Sequence, residues 1–397
     1  MIQITDNAVE QQLMPLFRLG FRPFFLAGSI FSALSILLWI LLLNGVITLP
    51  SQLPPTLWHA HEMLFGFTGA IILGFLLTAV QNWTGTPGLK GKKLLGLFAI
   101  WLCARIALFV LPPQWLWFAF IIEISWMPIA AILLAASIIS AEQWKNLFFA
   151  PLLMIMSLLN AISLISMQSY HYVMAQQAIW CMLFLVLFMI AVMGGRVIPF
   201  FTAKGTNTEK TASILVLEYL SLAPLLFLAV LTWFPALNVL SAPLALLAGS
   251  ANLLRLYRWK PLITFPVPLL WSLHLSYFLL SIGLILYGLS LSVPSVNSTG
   301  MIHLAAIGGA GGIILSMISR VSLGHTGRSL NTVKWMNIAF IVTALSAIAR
   351  VILPYLIPHN PMLTYTISGL LWVSAFTLFV IFYARILLSP RFDNRPG

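Results

Sequence analysis

Five of the seven histidines in this 397-residue chain, His59, His61, His274, His303 and His325, fall in or at the ends of apolar runs long enough to cross a membrane. A bilayer core disfavours ionisable groups, so such side chains kept at membrane depth are functional candidates. Imidazole is also a common ligand of haem iron and copper, which makes metal or cofactor binding the first chemistry to consider. The densest group is Trp58-His59-Ala60-His61-Glu62-Met63. His171 and His359 fall in short connections and are expected to be solvated.

The elements that must carry these residues follow from composition. Hydrophobic residues make up 61% of the chain and charged residues 7%, against about 25% charged in soluble domains. Such a chain cannot cover a water-facing surface, so the expected fold is all-α: a polytopic membrane bundle, with the lipid bilayer as its immediate partner. Apolar runs at 21–43, 58–80, 93–111, 114–141, 145–167, 174–199, 212–233, 235–257, 265–291, 300–323, 334–356 and 361–388 predict twelve transmembrane helices. Residues 1–397 read as one bundle, flanked by a cytoplasmic segment 1–20 and a cytoplasmic tail 389–397. No basic stretch precedes the first apolar run, so no cleaved signal peptide is expected. Cys103 and Cys181 lie inside apolar runs and read as buried fillers.

The net charge of +12 does not imply nucleic-acid binding. All Lys and Arg except Arg105 and Arg350 fall at the N-terminus or after spans two, four, six, eight, ten and twelve, while the opposite connections hold none. Cytoplasmic loops collect positive charge, so both termini are expected to be cytoplasmic. Arg105 and Arg350 lie within spans three and eleven. They either snorkel to the outer interface or pair with Glu62, Glu123 or a bound propionate.

At about 100° per residue on an ideal helix, His59, Glu62, Gly66, Ala70 and Gly74 share one face, and His61 points the opposite way. The two histidines therefore serve separate sites, or one is a ligand and the other a hydrogen-bond partner, unless each merely caps an outer helix end. His303 opens span ten from the outer side, at the depth of His59 and His61, whereas His325 lies about 33 Å further along a continuous helix. His325 is either functional or part of a helix C-terminus rich in glycine and basic residues. His274 sits well inside span nine and needs a polar neighbour or a cofactor. The run Gly308-Gly309-Ala310-Gly311-Gly312 allows either close helix packing or a porphyrin lying on bare backbone. A proton relay would rest on Glu62, Glu123 and Glu218, a thin set for a pump. No internal repeat, phosphate-binding loop or cysteine cluster is present in the sequence.

Several stretches read together as one pattern: Leu16 to Phe25; Trp58 to Gly66; Gly74 to Val80 with Asn82 to Gly85; Gly194 to Thr202; His303 with its glycine run; and Arg320 to Arg328. In order and composition the chain resembles the NnrS family of bacterial inner-membrane proteins. The resemblance implies a twelve-span protein of the bacterial cytoplasmic membrane containing haem b and copper, linked to nitric oxide metabolism and nitrosative stress. It further implies that the cofactor-binding positions are His59, His61, His274, His303 and His325 with Arg196, Arg320 and Arg328; the shared outer-side placement of His59, His61 and His303 makes these three the expected metal positions, with His59 or His61 facing His303. It does not assign individual histidines to haem or to copper.

Two other functions compete. A transporter would use buried His and Arg to bind an anion or a metal ion. A haem-copper oxidase or nitric oxide reductase relative would need adjacent histidines, and the chain has no His-His pair.

Overall fold

The computed structural model describes residues 10–393 and residue 395. Of the expected flanks 1–20 and 389–397, residues 1–9, 394, 396 and 397 lie outside the described residues. Among the described residues the long helices are α1 (Phe21–Leu43), α2 (Pro55–Thr84), α3 (Gly91–Val110), α4 (Leu116–Ser140), α5 (Phe149–Gln168) and α6 (Tyr172–Thr206). They continue with α7 (Leu215–Leu231), α8 (Ser241–Arg258), α9 (Pro268–Ser290), α10 (Ser298–His325), α11 (Lys334–Leu356) and α12 (Pro361–Leu388). No strand occurs among them. The protein is a multi-pass membrane protein.

The helix boundaries follow local chemistry. Leu111, Pro112 and Pro113 end α3, and a short 3-10 turn, Pro113–Trp115, feeds α4; proline has no N–H to continue a helix but suits a first turn. Span seven is shorter than expected, at 17 residues. Ala212, Ser213 and Ile214 stay outside the helix, and Pro235 opens the 3-10 turn that follows it. Span six is longer, running 35 residues through Pro199. The Gly194 to Thr202 stretch is therefore helical, and Arg196 and Lys204 ride on α6 instead of a loop. The connections 44–54, 111–115, 169–171, 232–240, 291–297 and 357–360 contain no Lys or Arg, as positive-inside orientation requires.

Two spans are not uninterrupted α-helix. The turn Glu62–Thr68 in α2 and the turn Leu304–Gly311 in α10 are π-helical. Such turns insert extra backbone and rotate everything beyond them. The ideal-helix face that joined His59 and Glu62 to Gly66, Ala70 and Gly74 is corrected on this account. In α2 the Thr68 hydroxyl donates to the Met63 carbonyl at 2.8 Å, compensating the loosened ladder.

The chain forms two compact units. The first comprises Met1–Ile179, Val321–Ser329 and Phe379–Gly397, and the second Trp180–Arg320 and Leu330–Leu378. In the first, α1 packs closely on α2, where Gly74 faces Phe24 and Gly20 faces Leu77. Its apolar core includes Leu42, Trp58, Leu108, Leu116, Phe120 and Leu164. In the second, α9 packs on α8 and on the π-turn of α10, around Leu279, Leu304, Ala344 and Ala347. Large apolar side chains such as Ile121 and Ile132 stay exposed, which suits lipid as the surrounding medium.

Candidate functional site

Within the first unit, α2 to α5 each contribute to one buried polar cluster. His61 Nδ1 lies 3.0 Å from Glu62 Oε1, and His61 Nε2 lies 2.7 Å from Asn160 Oδ1. Asn160 Nδ2 donates to Glu123 Oε1 at 2.9 Å, which turns the amide so that its carbonyl oxygen faces the imidazole. A carbonyl only accepts, so Nε2 carries a hydrogen. Nδ1 faces a carboxylate oxygen, so both ring nitrogens of His61 meet acceptors. In this arrangement both ring nitrogens of His61 are taken up by protein partners, and neither is directed at a metal.

Arg105 completes the cluster. Its Nη1 donates to Glu62 Oε2 at 2.5 Å, and its Nη2 lies against the Glu123 carboxylate. The guanidinium also lies over Phe31, 5.7 Å from the ring centroid, and Trp126 Nε1 donates to Glu123 Oε2 at 3.2 Å. Arg105 is 4% exposed and does not snorkel. Two carboxylates presented from α2 and α4 at the same depth make inward pairing the better solution, because an isolated buried charge is far costlier. Glu62 and Glu123 share the one guanidinium, and His61 links the same two carboxylates, Glu62 directly and Glu123 through the Asn160 amide. His59 points away from it and stacks on Trp39 of α1, with centroids 4.1 Å apart and planes at 20°.

The second unit holds His303 and His274. His303 Nδ1 lies 2.5 Å from the Thr299 carbonyl oxygen, one turn back on α10. The carbonyl accepts, so Nδ1 is the N–H and Nε2 keeps its lone pair. The π-turn of α10 starts at the next residue, as that of α2 starts directly after His61. Arg350 of α11 lies near enough for its charge to act on the His303 ring. Arg350 is 8% exposed, stacks over Tyr365 at 4.2 Å, and its Nη1 has no hydrogen-bond partner. No carboxylate pairs with it among the described residues, so for Arg350, too, snorkelling is replaced by burial. His274 is buried; its Nε2 lies 2.8 Å from Thr202 Oγ1, while its Nδ1 is buried without a partner.

The arginines of the sequence motifs differ in setting. Arg196 is exposed on α6. Arg320 is buried with its guanidinium 4.0 Å from the Phe201 ring centroid. Arg22 and Arg255 are both fully buried: Arg22 donates to the Leu387 and Ser389 carbonyls, and Arg255 of α8 donates to Glu218, Asn252, Tyr277 and the Ala191 carbonyl. Gly195 is glycine because a Cβ there would collide with the Arg255 guanidinium, as Tyr277 crowds Gly194. Glu218 is thereby held to Arg255, in a different unit from Glu62 and Glu123.

His325 ends α10, and its last turn belongs to the first unit, where the ring packs on Phe21 at 5.6 Å. The helix stops in the manner expected for a C-terminus: Gly327 adopts φ +70°, and the N–H groups of Gly327 and Arg328 return to the carbonyls of Gly324 and Leu323. The C-terminal tail clamps this end. Arg391 Nη1 donates to the His325 carbonyl at 2.9 Å, and Arg391 binds Asp393 through two nitrogens. These bonds to Arg391 draw the Asp393 carboxyl down from 3.8 to about 2. Arg328, outside the helix, donates to the Thr326 carbonyl at 3.4 Å.

The glycine run of α10 resolves in favour of packing. A Cβ on Gly308 would meet Leu279 and Ala347, on Gly309 Leu280, on Gly311 Trp372 and on Gly312 Ser276. Protein atoms cover all four, so the alternative of a porphyrin against bare backbone is set aside. Asn160, Thr202, Thr299 and Tyr365 were missed in the sequence. Asn160 carried a usable signal, as an amide in the middle of the hydrophobic α5; the others are ordinary residues whose role depends on a neighbour.

Among the described residues no group of three or more His, Cys, Asp or Glu could by itself hold a metal ion. A family model described as NnrS protein matches residues 15–391. No curated protein matches the chain.

Proposed function

The chain belongs to the NnrS family, and from that premise we propose that it is a bacterial inner-membrane protein of nitric oxide metabolism that binds haem b and copper, with His303 as a haem ligand. The observation that carries this reading is the 2.5 Å contact between His303 Nδ1 and the Thr299 carbonyl. Metal-bound histidines ordinarily give their second ring N–H to a backbone carbonyl or carboxylate, which fixes the tautomer and aims the free nitrogen. Arg350 supports it, since a buried cation with an unsatisfied Nη1 suits the carboxylate of a propionate.

His274, with a buried Nδ1 open, is the second ligand position. His59 stays within the proposal as a metal position. His61 does not fit unless it releases Glu62 or Asn160, and its place is to anchor the polar cluster. His325, Arg196, Arg320 and Arg328 remain family-implied positions at the cofactor. A haem bound here would supply an iron that binds gas or passes electrons. Nitric oxide is small and apolar, so it reaches such a site through the bilayer without a polar channel.

The test is an absorption spectrum and metal analysis of the purified protein. The expected result is a Soret band that moves under nitric oxide, is lost in His303→Ala and is retained in His61→Ala. A stable, colourless, metal-free preparation would sink the proposal. Arg350, which meets no carboxylate among the described residues and whose Nη1 has no hydrogen-bond partner, also favours a second reading, transport of a small anion. Uptake by proteoliposomes that survives His303→Ala and fails in Arg350→Gln would select it.

A further inference from the structure

One cleft stands apart from every histidine. In the first unit, a cavity of about 420 Å³ opens between the end of α2, the 85–90 connection, the start of α3 and the inner part of α4. Val80, Leu133 and Leu134 give it apolar walls, and Lys90, Lys92 and Lys93 line its mouth.

Three properties specify a ligand. The lysines form no ion pair with any carboxylate among the described residues, so their charge is available. They begin α3, whose N-cap residue Lys90 makes no side-chain cap, so no N-cap side chain takes up the first-turn N–H groups. On the wall side, Leu133 and its neighbour Ile132 are exposed, at 36% and 65%, on a helix that faces lipid. The distribution of Lys and Arg puts this end of α2 at the cytoplasmic leaflet, where anionic headgroups concentrate. A cleft with cations at the headgroup level and an apolar slot open to the acyl region is complementary to one class of molecule.

We propose that this cleft is a binding site for an anionic phospholipid of the cytoplasmic leaflet. Its phosphate rests against Lys90, Lys92 and Lys93, and an acyl chain runs along Val80, Leu133 and Leu134. The site is independent of the haem reading above.

Native mass spectrometry of the full-length protein, titrated with phosphatidylglycerol or phosphatidylethanolamine, tests it. The expected result is a retained phosphatidylglycerol adduct, weakened about fivefold by each lysine removed and about a hundredfold in Lys90→Gln/Lys92→Gln/Lys93→Gln. Lys145→Gln/Lys210→Gln/Lys334→Gln removes the same charge elsewhere on the same side and should keep the adduct. Equal loss in both triple variants would show general charge attraction and overturn the site. So would equal retention of phosphatidylethanolamine, or displacement of the lipid by millimolar inorganic phosphate. Leu133→Asp, which leaves the lysines in place, should also weaken the adduct, and an unchanged adduct there would remove the acyl slot from the proposal.

Discussion

Arg105 Nη1 of α3 stands 2.5 Å from Glu62 Oε2 of α2, and both side chains are almost fully buried. With Glu123, Asn160 and His61, the pair ties four helices together through groups that cannot be left unpaired at this depth. Removing one member strands the rest.

Arg105→Leu is therefore expected to lower stability by about 3–5 kcal/mol, because it leaves Glu62 and Glu123 facing each other without a cation. Replacing Arg105, Glu62 and Glu123 together by Leu or Met is expected to recover most of that loss. Thermal unfolding in one detergent across these variants checks the order. A triple variant worse than Arg105→Leu would mean that the cluster is held by something other than charge balance.

Gly195→Ala places a methyl group on the Arg255 guanidinium, which Glu218, Asn252 and Tyr277 hold from the other sides. Overpacking of this kind costs about 1–3 kcal/mol. Gly96→Ala in α3 meets nothing within 4 Å and should be neutral or stabilising. The same melting assay compares them.

Arg350→Met removes a buried cation whose Nη1 has no partner. Without cofactor, the variant should be at least as stable as the parent, since no ion pair is broken. With haem supplied, it should bind more weakly, read as a lower Soret-to-protein ratio at equal expression. A destabilised, fully haem-loaded variant would exclude Arg350 from the site.

The tail clamp has a defined pH dependence. Asp393 is drawn down to about 2 from 3.8, so its contribution is complete above the higher value and disappears as pH falls through the lower one. Between pH 5 and 9 (roughly the range in which carboxylates stay ionised) the clamp should not change. Pepsin cleavage near Arg391 should accelerate only as pH approaches 2. Release already at pH 5 would show that another group controls it.

The sequence by itself determined the membrane architecture. Apolar length, proline punctuation and the placement of Lys and Arg are local or additive properties, so the span order and orientation follow from them without tertiary knowledge. It also determined that His59 and His61 point apart, because two residues on one short helix cannot do otherwise. Only the tertiary structure decided the partners. Arg105 could have snorkelled until α2 and α4 presented carboxylates at its depth; the glycine run could have cradled a ring until Leu279, Leu280 and Trp372 filled the space; and His61 lost its free nitrogen only when α5 brought Asn160 against it. The π-turns after His61 and His303 escaped the sequence reading for the same reason. Helical periodicity assumes a regular ladder, and a turn that departs from it is stabilised by contacts from outside its own helix.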